Sequence, residues 1–325
     1  MKHLPKILFL ALLCIACRDE HDVPTHDFTI GFKAGVENTR AVVTDIEPLK
    51  DGFSVWGGFD GTTVFDGRKV YWGTDSEGNT GWMYDNPEVW TFNTYNFHAV
   101  YPTTDVATYT ATVSNNHQQL DIKDFDTAPN HDVDLLHATA MGIDGSTVPT
   151  VNLAFQHTLS NISIALNKDA TNQEDEIAIT QVYLLNVYSI GDYTWTKEAP
   201  NVTWTADEAS ATNIGSSFSA DNSIATDAHK TFLSDLLLIP QAIDTDHHPI
   251  VLVIVYDYTI TGTSGDKETI KDNLLFAVLP TDPVWEAGKR ITYKATIKAN
   301  KDITFGTPTV EEWGEQQVGG TIIIK

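Results

Sequence analysis

The sequence predicts an all-β chain of two antiparallel β-sandwich domains in tandem, on three observations. From Phe28 onward the apolar residues fall in short runs of strand length, rich in β-branched and aromatic side chains and separated by Gly, Asn, Asp and Pro. No apolar pattern of 3.6-residue period reaches helix length, so the crossover helices that a parallel α/β sheet needs are missing. Without its leader the chain is roughly 310 residues long, more than one ordinary core supports. A hydrophobic content of 42% supplies apolar surface for two.

Taken in order, residues 1–16 are an export leader and are excluded from the fold. Lys2 and Lys6 give a positive start, Ile7 to Ala16 is unbroken apolar chain, and Cys17 follows the small Ala16. A helix over that run covers about 15 Å, half of a bilayer core of roughly 30 Å, so it is not a span. The placement of Cys17 resembles a bacterial lipoprotein signal, in which that cysteine becomes the acylated first residue of the mature chain. Cys14 stands where such signals usually carry Leu, and bulky Leu13 before it makes it the poorer acceptor. Residues 17–26 then read as a tether, 27–149 as the N-terminal sandwich and 150–325 as the C-terminal one. The polar, Gly- and Pro-containing stretch Gly142–Pro149 marks the boundary.

Strand-length segments follow throughout. The clearest are Phe28–Phe32, Phe53–Trp56, Tyr95–Tyr101, Val151–Leu153, Ile162–Leu166, Val182–Val187, Ile250–Tyr258, Leu274–Leu279, Ile291–Ile297 and Thr321–Ile324. Gly73–Gly81, with Gly78-Asn79 inside it, reads as the loop of a hairpin between Tyr71-Trp72 and Trp82-Met83-Tyr84. Asp207 to Asp227, rich in Ala, Ser, Thr, Asn and Asp, reads as a long surface loop.

Charge and chemistry narrow the function. The formal net charge is -24, and the leader takes two lysines and no acid with it. Nucleic acid is therefore excluded as a partner class, and acyl chains rather than basic residues have to supply membrane contact. An acylated Cys17 has no thiol, which removes disulfide and thiolate chemistry. Asn130-His131-Asp132-Val133-Asp134 with His137 fails the calcium-loop template, because Leu135 stands where Gly is required and Met141 where the bidentate Glu belongs. It reads as a loop entering a strand, and His247-His248 before Pro249 reads as a turn, so no metal or cofactor is expected. No HExxH, GxSxG, phosphate-loop or dinucleotide fingerprint is present, and the expectation is a protein that is not an enzyme. Trp56, Trp72, Trp82 and Trp90, joined by Tyr71, Tyr84, Tyr95 and Tyr101, are expected to fill a sandwich core. If exposed, they would make the chain a glycan-binding outer-membrane surface lipoprotein, the alternative reading.

The residues also carry a family resemblance over nearly the whole chain. The opening strand Phe28–Gly35 precedes Thr39-Arg40-Ala41. Asp134-Leu135-Leu136-His137-Ala138, Leu153-Ala154-Phe155-Gln156-His157-Thr158-Leu159, Pro240-Gln241, and Ile291–Ile297 with Glu311-Glu312-Trp313 follow in order. In sequence and spacing these resemble the fimbrillin family, the type V pilin subunits of Gram-negative anaerobes. The resemblance implies two transthyretin-like β-sandwiches carried to the cell outer membrane as a surface-exposed lipoprotein, held there by a lipid anchor. It implies that an Arg-specific protease cuts between Arg40 and Ala41, removes the first strand and opens a groove for a strand of another fimbrillin subunit. Such strand addition takes its affinity from main-chain hydrogen bonds and its register from alternate side chains. The terminal Thr321, Ile322, Ile323 and Ile324 after Gly319-Gly320 are either the donated strand or the last strand of the second sandwich. Asp126-Thr127-Ala128 resembles a bacterial O-glycosylation acceptor.

Overall fold

The computed structural model describes residues 28–38, 41–42, 49, 51–129, 131–172, 175–200, 202–219, 222–298 and 302–313. Cys17, Arg40 and Thr321, Ile322, Ile323, Ile324 lie outside the described residues. The described residues form an all-β fold of four sheets with a few short 3-10 turns.

The first sheet has eight strands in the order β2 (Ala41–Val42), β1 (Phe32–Asn38), β10 (Val151–His157), β9 (Leu136–Asp144), β6 (Thr94–Tyr101), β3 (Phe53–Phe59), β4 (Thr62–Thr74), β5 (Thr80–Met83). It curls so that its ends meet: the Tyr84 hydroxyl, just past β5, donates to the Ile30 carbonyl at 2.8 Å, and Phe32 meets the Tyr84 ring edge-on at 5.7 Å. Inside the curl lies an aromatic core of Phe32, Phe53, Phe65, Trp90, Tyr95 and Phe97 with Val151, Leu153 and Phe155. The β4–β5 hairpin forms as the sequence predicts, Trp72 opposite Trp82, with the Asp75 carboxylate accepting from the backbone of Glu77 and Asn79 to shape its loop.

A second sheet, β14 (Thr203–Ala206), β13 (Ile190–Thr196), β8 (Gln119–Asp126), β7 (Thr110–Ser114), draws two strands from either side of residue 150. It packs on the outer face of the first sheet through Trp56, Val100, Leu120, Ile122, Tyr193 and Trp195. The remaining sheets are β16 (Lys230–Leu238), β11 (Ser160–Lys168), β19 (Lys289–Ile297), with β20 (Ile303–Phe305) and β21 (Thr309–Glu312) sharing the far edge of β19, and β15 (Ala211–Ser217), β12 (Glu176–Tyr188), β17 (Val251–Thr261), β18 (Lys267–Val278). Between them Ile162, Ile164, Leu184, Leu252, Ile254, Trp285 and Tyr293 form a sandwich core.

Three features differ from the sequence reading. Val151–His157, assigned there to the second domain, hydrogen-bonds within the first sheet, so the stretch Gly142–Pro149 links two strands of one sheet. Its Gly and Pro build a turn, the Asp144 carboxylate accepting from Ser146 N at the start of a short 3-10 segment, and a turn has the same composition as a linker. Two strand pairs, β1–β10 and β11–β19, are parallel within otherwise antiparallel sheets. The connection a parallel pair needs is supplied by intervening strands instead of a helix. Asp207–Asp227 is not all loop: it contains β15, an edge strand whose single deeply buried apolar side chain, Ile214, is too little signal for period two.

Candidate functional site

The first strand has a well-defined seat. β1 pairs parallel to β10, Phe32 opposite Val151 through Val36 opposite Phe155, and Val151 N donates to the Gly31 carbonyl at 2.8 Å. On the other side Ile30 N donates to Glu88 O, and Trp90 N to Phe28 O, both at 2.8 Å. Ile30 and Phe32 are buried, Ala34 and Val36 pack against the same core, and Lys33 is exposed, which is the alternation the sequence predicts. Phe28, which period two would put on the same face, is instead 51% exposed. The strand pairs back on β2, Asn38 opposite Ala41. Only residues 39 and 40 separate the paired ends, so Ala41 begins β2, immediately after the predicted scissile bond.

The other sequence candidates resolve individually. Trp56, Trp90 and Tyr95 are core and Trp82, Tyr84 and Tyr101 pack against it, whereas Tyr71 and Trp72 are half-buried outside it, Trp72 meeting Trp82 edge-on at 5.3 Å. Thr127 is 1% exposed and its hydroxyl donates to the Ser189 carbonyl, which leaves it inaccessible as a glycosylation acceptor in the folded chain. The carboxylates and imidazoles around residue 131 part company. Asp134 goes to His157, with Oδ2 2.5 Å from Nδ1, and His137 goes to His98, 3.1 Å between ring nitrogens. Among the described residues no group of three His, Cys, Asp or Glu side chains is placed to hold a metal ion. Nor is any helix among them long and apolar enough to cross a membrane.

The short motifs, scattered from residue 134 to 313, converge at the junction of the halves. Trp313 stacks on His157, rings 3.8 Å apart and 12° from parallel, and Asp134 holds that imidazole from the side. Gln241 of Pro240-Gln241 clamps Tyr188, its Oε1 accepting from Tyr188 N and its Nε2 donating to Tyr188 O, both at 3.1 Å. The Tyr188 ring stacks on His248 at 3.7 Å and 10°. Trp204 Nε1 donates to the Thr158 carbonyl at 2.7 Å. His157, Tyr188, Trp204, Gln241, His248 and Trp313 line a cleft of about 1250 Å³. Sequence reasoning found His157, Gln241 and Trp313 as motif members and read His248 as part of a turn, but missed Tyr188 and Trp204, which stand in no pattern together and meet the others only in space.

Beneath the cleft lies a buried polar chain. His98 Nε2 faces the His117 carbonyl at 3.1 Å, His98 Nδ1 faces His137 Nε2, and His137 Nδ1 lies 2.6 Å from the Tyr193 hydroxyl. Burial pushes the His98 imidazole down to about 4, against a smaller opposing effect of its bond to the His117 carbonyl. Burial and then the neighbouring His98 push His137 well below the usual histidine range, and burial raises the Tyr193 phenol. At neutral pH the chain is uncharged, which suits its place between two sheets.

Comparison with known proteins gives one consistent answer. The fimbrillin-like family profile matches residues 39–313. Among solved structures, the chain is similar to a fimbrial protein from Bacteroides vulgatus, with 20% identity and a TM-score of 0.60 over 88% of this chain and 99% of that one. It is also similar to candidate cell adhesion proteins from Bacteroides ovatus (14%, TM-score 0.53, 89% and 99%) and Bacteroides uniformis (17%, TM-score 0.51, 89% and 99%). At these identities the likeness is one of fold. No curated protein matches the chain.

Proposed function

Because this chain belongs to the fimbrillin-like family, we propose that it is a fimbrial subunit or fimbria-associated adhesin, exported as a lipoprotein acylated at Cys17, anchored in the outer membrane and joined to other fimbrillin subunits by strand exchange. The observation that carries this reading is the seat of β1. A strand at the start of the fold fills a core with Ile30 and Phe32, and only residues 39 and 40 separate the strand's last paired residue from Ala41. A cut by an Arg-specific protease between Arg40 and Ala41 severs β1 from everything that follows it.

Loss of β1 leaves the β10 edge unpaired and an apolar groove open, a state that invites another strand. Each large apolar side chain that refills such a groove is worth about 1.5 to 3 kcal/mol on full burial. Thr321, Ile322, Ile323 and Ile324 are the candidate donor. Tail-into-groove contact between copies is heterologous, so it extends into a filament instead of closing. The role is structural and calls for no catalytic residue.

The test is to treat purified precursor lacking the lipid with an Arg-specific protease and resolve the products on mildly denaturing gels. A ladder of multimers is expected from the wild type and none from Arg40→Ala. Deletion of residues 319–325 abolishes the ladder if that segment is the donor. A stable monomer at high concentration after clean cleavage would rule out a shaft role.

A further inference from the structure

We propose that the junction cleft is a binding site for a neutral oligosaccharide, a function separate from strand exchange and carried by residues outside the β1 seat. The cleft is larger than the roughly 300 to 1,000 Å³ of a typical small-ligand pocket and lies between two structural halves, where such sites concentrate. Its aromatic rings are fixed before any ligand arrives: Trp313 backed by His157, Tyr188 backed by His248, and Trp204 tied through its indole nitrogen to Thr158. A ring backed on one face keeps its other face for a ligand, and the electron-rich face of an aromatic suits the C–H side of a sugar ring. Prefixed rings also bind with little ordering entropy left to lose.

Charge selects among ligands. No lysine or arginine is among the described lining residues, and Lys289 beside them is engaged with Glu312, so phosphates, sulfates and acidic sugars find no counter-ion. Four carboxylates are among the described lining residues: Glu312 has its lysine, Asp244 accepts from Asp246 N, His247 N and the His247 ring, and Glu208 and Glu286 are placed to accept from ligand hydroxyls. Ring planes and hydrogen-bonding groups remain, which is the requirement of a neutral, hydroxyl-rich chain. The glycan chemistry that the sequence placed at Trp56–Tyr101 thus has its geometry elsewhere, on residues 157 to 313.

The test is calorimetric titration of the full chain with cellohexaose, maltohexaose, mannohexaose and xylohexaose, and with hexagalacturonate as the anionic counterpart. At least one neutral hexasaccharide is expected to bind with submillimolar Kd, and hexagalacturonate at least tenfold more weakly. Tyr188→Ala and Trp313→Ala should each weaken binding at least tenfold in protein that remains folded by circular dichroism, while Trp72→Ala leaves binding as it was. Ala242→Arg, at an exposed lining position, should abolish binding and decides the matter if either aromatic variant fails to fold. Absence of binding by every neutral probe, equal binding of hexagalacturonate, or indifference to the cleft substitutions overturns the proposal and leaves strand exchange untouched.

Discussion

His98, His137 and Tyr193 form a chain in which each ring's role depends on the others being neutral. An unfolded histidine titrates near 6.5, whereas folded His98 stays neutral down to about 4 and burial holds His137 well below the usual histidine range. Between those values the unfolded chain binds protons that the folded chain refuses, so stability is highest above pH 6.5 and falls as the pH drops toward 4. Each histidine contributes up to about 1.4 kcal/mol per pH unit in that window. Urea denaturation at pH 7, 6 and 5 should show the decline, with a shallower slope in His98→Asn. Tyr193→Phe, which strips His137 of a partner, should lower stability by about 1 to 3 kcal/mol. Sequence reading had His137 as a motif residue and could assign it no task, because its partners lie 39 and 56 residues away. Proximity of that kind is set by topology and leaves no local mark.

Strands, by contrast, were largely legible, because period-two burial writes itself into the chain. Ile30, Phe32 and Ala34 fall on the core side and Lys33 on the solvent side, as their alternation requires. The failures came where that signal is weak or shared. Polar β15 has one deeply buried apolar residue to declare it, and the 142–149 turn uses the same residues a linker would. Parallel pairing of β1 with β10 was not legible either, since strand direction is not encoded in alternation. The pairing makes β1 energetically distinctive, because Phe32 meets Phe65, Tyr84 and Phe97 edge-on at 5.5 to 6.0 Å. Phe32→Ala should therefore lower stability by about 3 to 5 kcal/mol. Lys33→Ala, one residue along, should change it by less than about 0.5 kcal/mol. Chemical denaturation of both variants checks the pair, and equal effects would mean that β1 does not hold its place in the core.

At the scale of the molecule, two sandwiches in tandem suggest two independent folding units, and the second sheet argues otherwise. Its strands β7 and β8 come from before residue 150 and β13 and β14 from after it, and β8 pairs with β13 from Gln119 opposite Thr196 to Asp126 opposite Ile190. The core beneath it mixes Trp56, Val100 and Leu120 with Tyr193, Trp195, Leu237 and Ile239. Neither half can complete this core alone, so opening one half exposes apolar surface and unpaired strand edges of the other, and the two transitions should merge. Calorimetry of the chain should show one unfolding transition whose van't Hoff and calorimetric enthalpies agree, the criterion for two-state behaviour. A fragment ending at His157 keeps the whole first sheet but loses β13 and β14. It should bind a hydrophobic dye and lack a sharp melt, because Trp56 and Val100 of the first sheet and Leu120 of β8 have lost the side chains of β13 that complete their core. Two resolved transitions in the full chain, or a cooperative melt of the fragment, would show the halves to be separable.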